Sequence, residues 1–396
     1  MTSDETYFIT GFPGFITNRL LLRLAITGGQ FLLLVQPALV TRGQQEIARI
    51  VSATGSPATN FHIVEGDISQ TGLGMKVHDL ESVRLRTTRL FHLAAIYDLG
   101  VARDLALSVN VAGTQHVNEL ARSLPHLRHY HHVSTCYVAG KREGRILETE
   151  LRHEAGFRNF YEESKYLAEI EVDSLKSELP ITIHRPSVVC GDSRTGETAK
   201  YDGVYYLIRY LLRWSSLLSQ FNIGNHDVCL NLVPVDFVVE SLAVLACDDA
   251  AIGKTLQLAD PDPLTTNQLF NAIAKSINGS HSRITIPPSW VHYFLMLPPS
   301  PKTTGLPHHG VPYFFVKQTY DSTQAQRLLA AHQIACCQGH PLNPSIFGLY
   351  IRAAERCSTP SEARSISISR PLRPLERFCA TTGICHRLPS CSSSKP

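Results

Sequence analysis

The sequence predicts an α/β fold: a doubly wound parallel sheet followed by a smaller C-terminal lobe. Three observations predict it. A short apolar run, Tyr7-Phe8-Ile9-Thr10, ends in a turn bounded by Gly11 and Gly14 and passes into a helical pattern with Phe15, Leu20, Leu21, Leu22, Leu24 and Ala25 on it. Further apolar runs of strand length alternate with helical stretches through the first half of the chain, which is the pattern of right-handed βαβ units. Ser134-Thr135 closes the fifth such run, at the edge of a parallel sheet where ligands bind.

The first turn has a use of its own. Strand, tight glycine turn and helix bring backbone N–H groups and a helix N-terminus onto a pyrophosphate, the Rossmann arrangement. Gly11 permits the sharp turn, and Gly14 lacks the Cβ that would hold the phosphates off. Phe15 and Ile16 open the helix and join both glycines as expected cofactor contacts. Thr17 stands where a third glycine is usual.

The second run, Phe31 to Val35, is apolar throughout, as in a strand buried on both faces. The residues after it bear on the cofactor. An acid there would favour NAD, and a basic group the 2′-phosphate of NADP. The chain has Gln36, Pro37 and, further on, Arg42, with no carboxylate at the strand end, so NADP is favoured over NAD. The third run, Phe61 to Glu65, leads into Gly66-Asp67-Ile68, whose carboxylate and amide are placed to hold the adenine amino group. The fourth, Leu90 to Leu93, ends in Ala94 and Ala95, small enough for a cofactor to pass close to the backbone. His92 within it reads as a core histidine. Asn110 falls inside a helical pattern that reaches about Leu124; asparagine is a poor interior helix residue, which points to a task facing the sheet and adds Asn110 to the expected cofactor contacts.

The fifth run is His129 to Val133. After Ser134-Thr135 comes Tyr161-Glu162-Glu163-Ser164-Lys165, which opens a helix continuing to Val172. Tyr161 and Lys165 are four residues apart and share one helix face. A phenol with its ordinary pKa of about 10 is a poor acid or base at neutral pH, and a neighbouring ammonium would lower that pKa. The lysine can also hold a nicotinamide ribose. A hydroxyl from Thr135 or Ser134 can orient a substrate oxygen while Tyr161 exchanges a proton with it and a hydride moves at the adjacent carbon.

These pieces, with Arg185-Pro186-Ser187-Val188-Val189 and Gly140, resemble the extended short-chain dehydrogenase/reductase family over about residues 6–350. Within it the chain is most similar to the branch of thioester reductases and fatty acyl-CoA reductases, through Ser134-Thr135-Cys136-Tyr137-Val138-Ala139-Gly140 and Gly191-Asp192-Ser193-Arg194-Thr195-Gly196. The resemblance implies Thr135 as the catalytic hydroxyl, Tyr161 as acid/base and Lys165 as its partner. It also implies that Pro186 and Val188 contact the nicotinamide end. Gln36 departs from the arginine frequent in that branch.

Pro180 to Val189 reads as the sixth strand. Beyond Gly196 the pattern becomes irregular, as in a substrate-binding lobe. The apolar set from Tyr205 through Trp214 reads as packing against the sheet, with an acyl pocket as the other reading. Val233 to Val239 reads as a return to the sheet, with Asp236 capping the next helix. Thr265 to Ile277 and Ser322 to Ala331 read as helices. Pro287 to Leu297 reads as a short amphipathic piece that would admit an acyl chain or touch a membrane. The expected domains are residues 1–195 for the dinucleotide, 196–357 as a lobe interleaved with the sheet, and a disordered tail over 358–396, where Ser, Pro and Arg dominate.

Composition bounds the rest. The 396 residues are 43% hydrophobic and 18% charged, as in a globular protein. No apolar run of membrane-spanning length exists, and the polar, acidic start Met1 to Glu5 does not read as a signal peptide. The net charge of +3 resides in the tail, where residues 358–396 carry six Lys/Arg against two Asp/Glu and leave −1 for residues 1–357. A nucleic-acid partner is therefore not expected of the folded body. The ten cysteines include no CxxC pair, which reads as a reducing, cytoplasmic compartment. Cys379, Cys385, His386 and Cys391 fit no standard zinc spacing, so no metal is expected.

The function these features predict is an NAD(P)-dependent oxidoreductase acting on a small-molecule carbonyl, alcohol or acyl thioester, the last a lipid-like substrate. Two alternatives share parts of the pattern: a sugar-nucleotide epimerase/dehydratase or hydroxysteroid-type dehydrogenase, and a non-catalytic dinucleotide sensor. A sensor has no need of both Tyr161 and Lys165. The choice between monomer and homodimer is open at this level.

Overall fold

The computed structural model describes residues 5–198, 203–213, 219–279, 281–298, 308–336 and 348–351. Trp214 and the expected tail lie outside them. Seven parallel strands form the main sheet: β1 (Thr6–Thr10), β2 (Gln30–Val35), β3 (Phe61–Glu65), β4 (Arg89–His92), β5 (His129–Val133), β6 (Ile181–Pro186) and β7 (Thr255–Leu258). Their order across the sheet is 3-2-1-4-5-6-7. The order reverses between β1 and β4, with Thr10 paired to His92. A crevice for ligand opens beyond the strand ends at such a reversal.

The apolar runs are continuous because both faces are covered. Tyr7 and Ile9, with Phe31, Leu33 and Val35, pack under α1 (Phe15–Thr27), α2 (Val40–Thr54) and the helix Val235–Leu245. Their neighbours in the chain, Phe8, Leu32 and Leu34, point to the opposite face. There they meet Val83 of α3 (Val77–Arg86), Val117 and Leu120 of α4 (Gly113–Arg122), and Val172 of α5 (Phe160–Asp173). This alternation is the period of two in a strand buried on both sides.

Five histidines lie inside this sheet. His92, His129, His131, His132 and His184 are each no more than 1% exposed. The His129 and His131 rings are 3.9 Å apart, and His131 is 5.3 Å from His184. His92 is a core histidine as expected, held between the Thr10 and Thr114 hydroxyls at 2.8 and 3.0 Å.

The C-terminal half differs from the sequence reading in detail. The sixth run divides at Ser187 into β6 and a short strand, Val188–Cys190, which pairs in parallel with Leu232–Pro234 outside the main sheet. Val235 to Val239 is helical rather than extended. Pro234 occupies the N-cap position, and the Asp236 carboxylate accepts from Ser193 N and Oγ at 2.9 and 2.6 Å, so it anchors the 191–197 loop instead of capping. The main sheet gains β7 instead, a strand the sequence reading did not single out. The helix Thr266–Asn278 begins in a capping box between Thr265 and Gln268. Tyr205, Leu207, Ile208 and Leu211 are buried, but in a separate small core with Leu269, Phe270 and Ile273 rather than against the main sheet as expected. The helix Pro288–Met296 exposes Trp290 and Tyr293 and buries Val291 and Leu295. No described helix is long and apolar enough to cross a membrane.

Candidate functional site

Two of the expected dinucleotide contacts, Gly11 and Gly14, lie in the turn after β1, at the switch point. Gly11 has φ +88°, and a Cβ on it would meet Ala94 N at 2.8 Å and Leu93 C at 2.9 Å. Gly11 is therefore required by its backbone angle and by the close approach of β4's end. A Cβ on Gly14 would lie 2.6 Å from Gly11 O, the atom that accepts the Gly14 N–H at 2.8 Å. The need for glycine there comes first from the turn itself, a different reason from the phosphate clearance read off the sequence. Gly14 caps α1 without a side-chain hydrogen bond, and the first turn, with Phe15 and Ile16, holds no acid. That leaves a cradle of backbone donors with a positive helix end, so the residues present fit a pyrophosphate.

At the tips of β2 and β3, Gln36 Nε2 donates to Asp67 Oδ2 at 3.0 Å, while Asp67 Oδ1 accepts from Ser69 N and Oγ. Ile68 is buried against α4, where its side chain limits the space at Gly113. Arg42 lies exposed in the first turn of α2, which carries no acid. Ala94 and Ala95 follow β4 as half-buried residues, and Pro186 and Val188 flank the end of β6.

The chemical groups come from three elements. Thr135 is extended and accepts from Tyr137 N at 3.2 Å, which starts a short turn over Cys136–Ala139. Its hydroxyl lies near enough to the Tyr161 phenol to act on that group's ionisation. Tyr161 sits in the first turn of α5, whose N-cap is Asn159 with its side chain accepting from Glu162 N at 3.0 Å. One turn on, Lys165 is 3% exposed and donates from Nζ to Val133 O at 2.9 Å. Burial pushes its ammonium down to about 8, against the pull of Glu169. The Tyr161 phenol is raised, chiefly by burial; the Thr135 hydroxyl opposes that rise and the Glu162 carboxylate adds to it. The expected depression of this phenol by Lys165 is thus corrected: desolvation outweighs it, and the lysine is directed at the β5 carbonyl.

Ser134, the other candidate hydroxyl, is committed elsewhere. Its Oγ donates to Glu169, which is fully buried and ion-paired with Arg185 Nη2 at 2.6 Å and Nε at 2.8 Å. Arg185 Nη1 in turn donates to Glu150 O at 2.9 Å. Thr135 has no such tie to a buried carboxylate among the described residues; its hydroxyl accepts from the Tyr137 backbone. Asn110, expected among the cofactor contacts, faces inward and bonds groups of the protein itself. Its Oδ1 accepts from Ile96 N at 2.8 Å, and its Nδ2 donates to Ser164 Oγ at 2.9 Å, so it joins the end of β4 to α5. The local π-type turn over Leu107–Ala112 places it there.

The sequence reading missed Tyr97, whose ring stands edge-to-face on Tyr161 at 5.2 Å and 85°. It also missed the Glu162 carboxylate, which accepts from Tyr313 Oη at 2.7 Å and so ties the start of α5 to the 308–314 segment. Glu169 carried a signal that could have been read: with Tyr161 and Lys165 it continues the i, i+4, i+8 face of one helix.

Comparison with known proteins agrees with this geometry. The chain is 26% identical over 286 residues to fatty acyl-CoA reductase wat of Drosophila melanogaster, covering 62% of this chain and 55% of that protein. It is 24% identical over 288 residues to glycine betaine reductase ATRR of Emericella nidulans, covering 68% of this chain and 22% of that one. The chain thus spans about half the length of the first relative and about a fifth of the second. Among solved structures it resembles the terminal R domain of the myxalamid PKS-NRPS pathway, with a TM-score of 0.73 and 23% identity over 88% of this chain and 90% of that one. It also resembles UDP-glucuronic acid 4-epimerase from Bacillus cereus, solved with NAD, at a TM-score of 0.59 and 18% identity over 89% and 97% of the two chains. A family model described as male sterility protein matches residues 9–242, more than half of the sequence. The chain belongs to that family, a reductase-type branch of the extended short-chain dehydrogenase/reductases.

Proposed function

We propose that the protein is an NADP-favouring reductase of an acyl thioester, with residues 1–195 holding the dinucleotide and 196–357 contributing a substrate lobe. The observation that carries this is the placement of Thr135, just past the C-terminal end of β5, beside Tyr161 in the first turn of α5, with Lys165 buried one turn further along that helix. Bound in the cradle of Gly11 and Gly14, the nicotinamide cofactor supplies a hydride. Thr135 orients the thioester oxygen, and Tyr161 gives that oxygen its proton as the carbonyl carbon is reduced. The carbon now carries a hydroxyl and the sulfur; as the C–S bond breaks, the hydroxyl proton passes to the sulfur, so an aldehyde and a free thiol result. Lys165 would hold the cofactor ribose from the β5 end, where its ammonium is fixed on Val133 O.

Support for NADP comes from the end of β2. No carboxylate stands there to accept ribose hydroxyls, and Asp67 is already engaged by Gln36 and Ser69. The first turn of α2 presents Arg42 and a positive helix end instead. Relatives named as fatty acyl-CoA reductases support the thioester class over an alcohol or a sugar nucleotide. Following NADPH and NADH oxidation against a panel of acyl-CoA, aldehyde and sterol substrates tests this reading. Thioester-dependent oxidation with aldehyde or alcohol formed is the expected result. Dinucleotide binding with no turnover on any substrate would favour the sensor instead.

A further inference from the structure

Tyr313 comes from the helical turn His308–Phe314, far along the chain from the sheet edge it touches. It is buried, and it reaches two separate parts of the site. Its hydroxyl donates to Glu162 Oε1 and accepts from Asn159 Nδ2, both at 2.7 Å. Asn159 is the N-cap of α5 and Glu162 follows Tyr161, so one hydroxyl ties down both sides of the turn that presents the phenol. The Tyr313 ring lies 4.6 Å from that of Tyr137. Tyr137 gives its N–H to the Thr135 hydroxyl, so the ring backs the turn that presents Thr135.

Glu162 is fully buried, and a buried carboxylate must have donors. Arg158 supplies two of them, its backbone N–H to Oε2 at 2.9 Å and Nη1 to Oε1 at 3.3 Å. These are local, from four residues back, whereas the Tyr313 hydroxyl arrives from the C-terminal half. Arg158 also donates to Gly140 O, and Gln318 Nε2 donates to the same carbonyl at 2.7 Å. The 313–318 segment thus holds the Thr135 turn at its far end as well. Thr135 and Tyr161 belong to different elements, and the groups that bridge those elements fix how their hydroxyls face each other. Proton transfer is sensitive to such placement, since a displacement of about 1 Å can cost on the order of a hundredfold in rate.

We propose that Tyr313 is a positioning residue for the proton transfer, its hydroxyl fixing the first turn of α5 through Glu162 while its ring backs the turn that carries Thr135. This role rests on the reductase reading and adds to it a residue from outside the dinucleotide-binding half.

The test compares variants of the full chain by steady-state reduction of an acyl-CoA, calorimetric titration with NADPH and thermal melting. Tyr313→Phe keeps the ring and loses the hydroxyl. Its kcat is expected to fall about tenfold, with KM for the acyl-CoA and NADPH affinity held within about twofold. Glu162→Gln is expected to lower kcat too, and adding Tyr313→Phe to it to lower kcat by less than about twofold more, because the hydroxyl acts through that carboxylate. Thr182→Val serves as the structural control: it removes a buried hydroxyl that donates to Ala251 O at 2.7 Å, at the end of β6 away from the site. It is expected to lower the thermal midpoint and leave kcat unchanged. Unchanged kcat in Tyr313→Phe, fully multiplicative losses in the double variant, or an equal kcat loss in Thr182→Val overturns the proposal. So does a raised KM with kcat kept in Tyr313→Phe, which marks a binding contact. Absence of acyl-CoA reduction by the wild type overturns the reductase reading and this role with it, a result distinct from the others.

Discussion

Asn110 Nδ2 donates to Ser164 Oγ at 2.9 Å, joining the helix behind β4 to the helix that carries Tyr161 and Lys165. The same side chain holds both backbone groups of Ile96. Asn110→Leu leaves the buried Ile96 N–H and the Ser164 hydroxyl without these partners. The expected cost is about 1–3 kcal/mol, seen as a lower denaturant midpoint, together with reduced turnover as the 96–98 segment loosens. Unchanged stability and turnover in that variant would show that the bridge is dispensable.

Ser134 and Thr135 are chemically alike and differ in partner. Thr135→Ala is expected to lower kcat by on the order of a hundredfold, with a thermal midpoint lowered only as far as the lost bond to Tyr137 N requires, and Thr135→Ser to restore most of both. Ser134→Ala is expected to act on stability instead, because it removes a donor from the buried Glu169 carboxylate. Glu169→Gln goes further and leaves the Arg185 guanidinium buried without its counter-charge, at a cost of about 3–5 kcal/mol. Paired kinetic and melting measurements on the four variants separate the two duties.

The glycine turn offers a steric test. Gly14→Ala places a methyl group against Gly11 O, so the turn must open and its backbone donors shift. NADPH affinity is expected to fall on the order of tenfold or more, while Gly28→Ala, at a φ of +90° with open space around it, costs stability without weakening the cofactor. Equal NADPH affinity in wild type and Gly14→Ala would contradict the proposed cradle.

The buried histidines set a pH dependence. Burial pushes His92 and His184 down to about 3 and His129 to about 4, and holds His131 and His132 well below the usual histidine range. Neighbouring charge adds to this: Lys165 acts on His92 and His132, and Arg89 on His129 and His131. In the unfolded chain each histidine titrates near 6.5, so between about pH 6.5 and 4 the unfolded state binds more protons than the folded one. Stability is therefore full above about pH 6.5 and falls with acidification, by about 1.4 kcal/mol per pH unit for each histidine that stays neutral. Chemical denaturation at pH 7.5, 6 and 5 is expected to show a steep loss, and His131→Phe, beside Phe91, a shallower one. A flat profile would mean that the histidines titrate alike in both states.

Most of the sheet could be read in the chain because its strands are buried on both faces and so appear as uninterrupted apolar runs. β7 escaped that signal: Thr255 and Gln257 interrupt it, and they are accommodated by contacts from far away, Gln257 N donating to Glu148. Val233 to Val239 misled for another reason, since a short run that is apolar apart from Asp236 has no period that distinguishes strand from helix. The local chemistry of Gly11, Tyr161 and Lys165 was legible from spacing along one strand end or one helix. The Glu169–Arg185 pair, the diversion of Ser134 and the Tyr97 ring on Tyr161 are contacts across the fold, and no local spacing encodes them. The sense of the Tyr161 pKa shift was equally out of reach, because it depends on how deeply the ring is buried.

The central claim is that Tyr161 gives a proton to the substrate oxygen. Steady-state reduction of an acyl-CoA by Tyr161→Phe, with NADPH affinity measured in parallel, tests it most directly. The account predicts a loss of at least about a hundredfold in kcat with NADPH affinity held within about twofold. Turnover close to that of the wild type, in a variant that still binds NADPH, would contradict it.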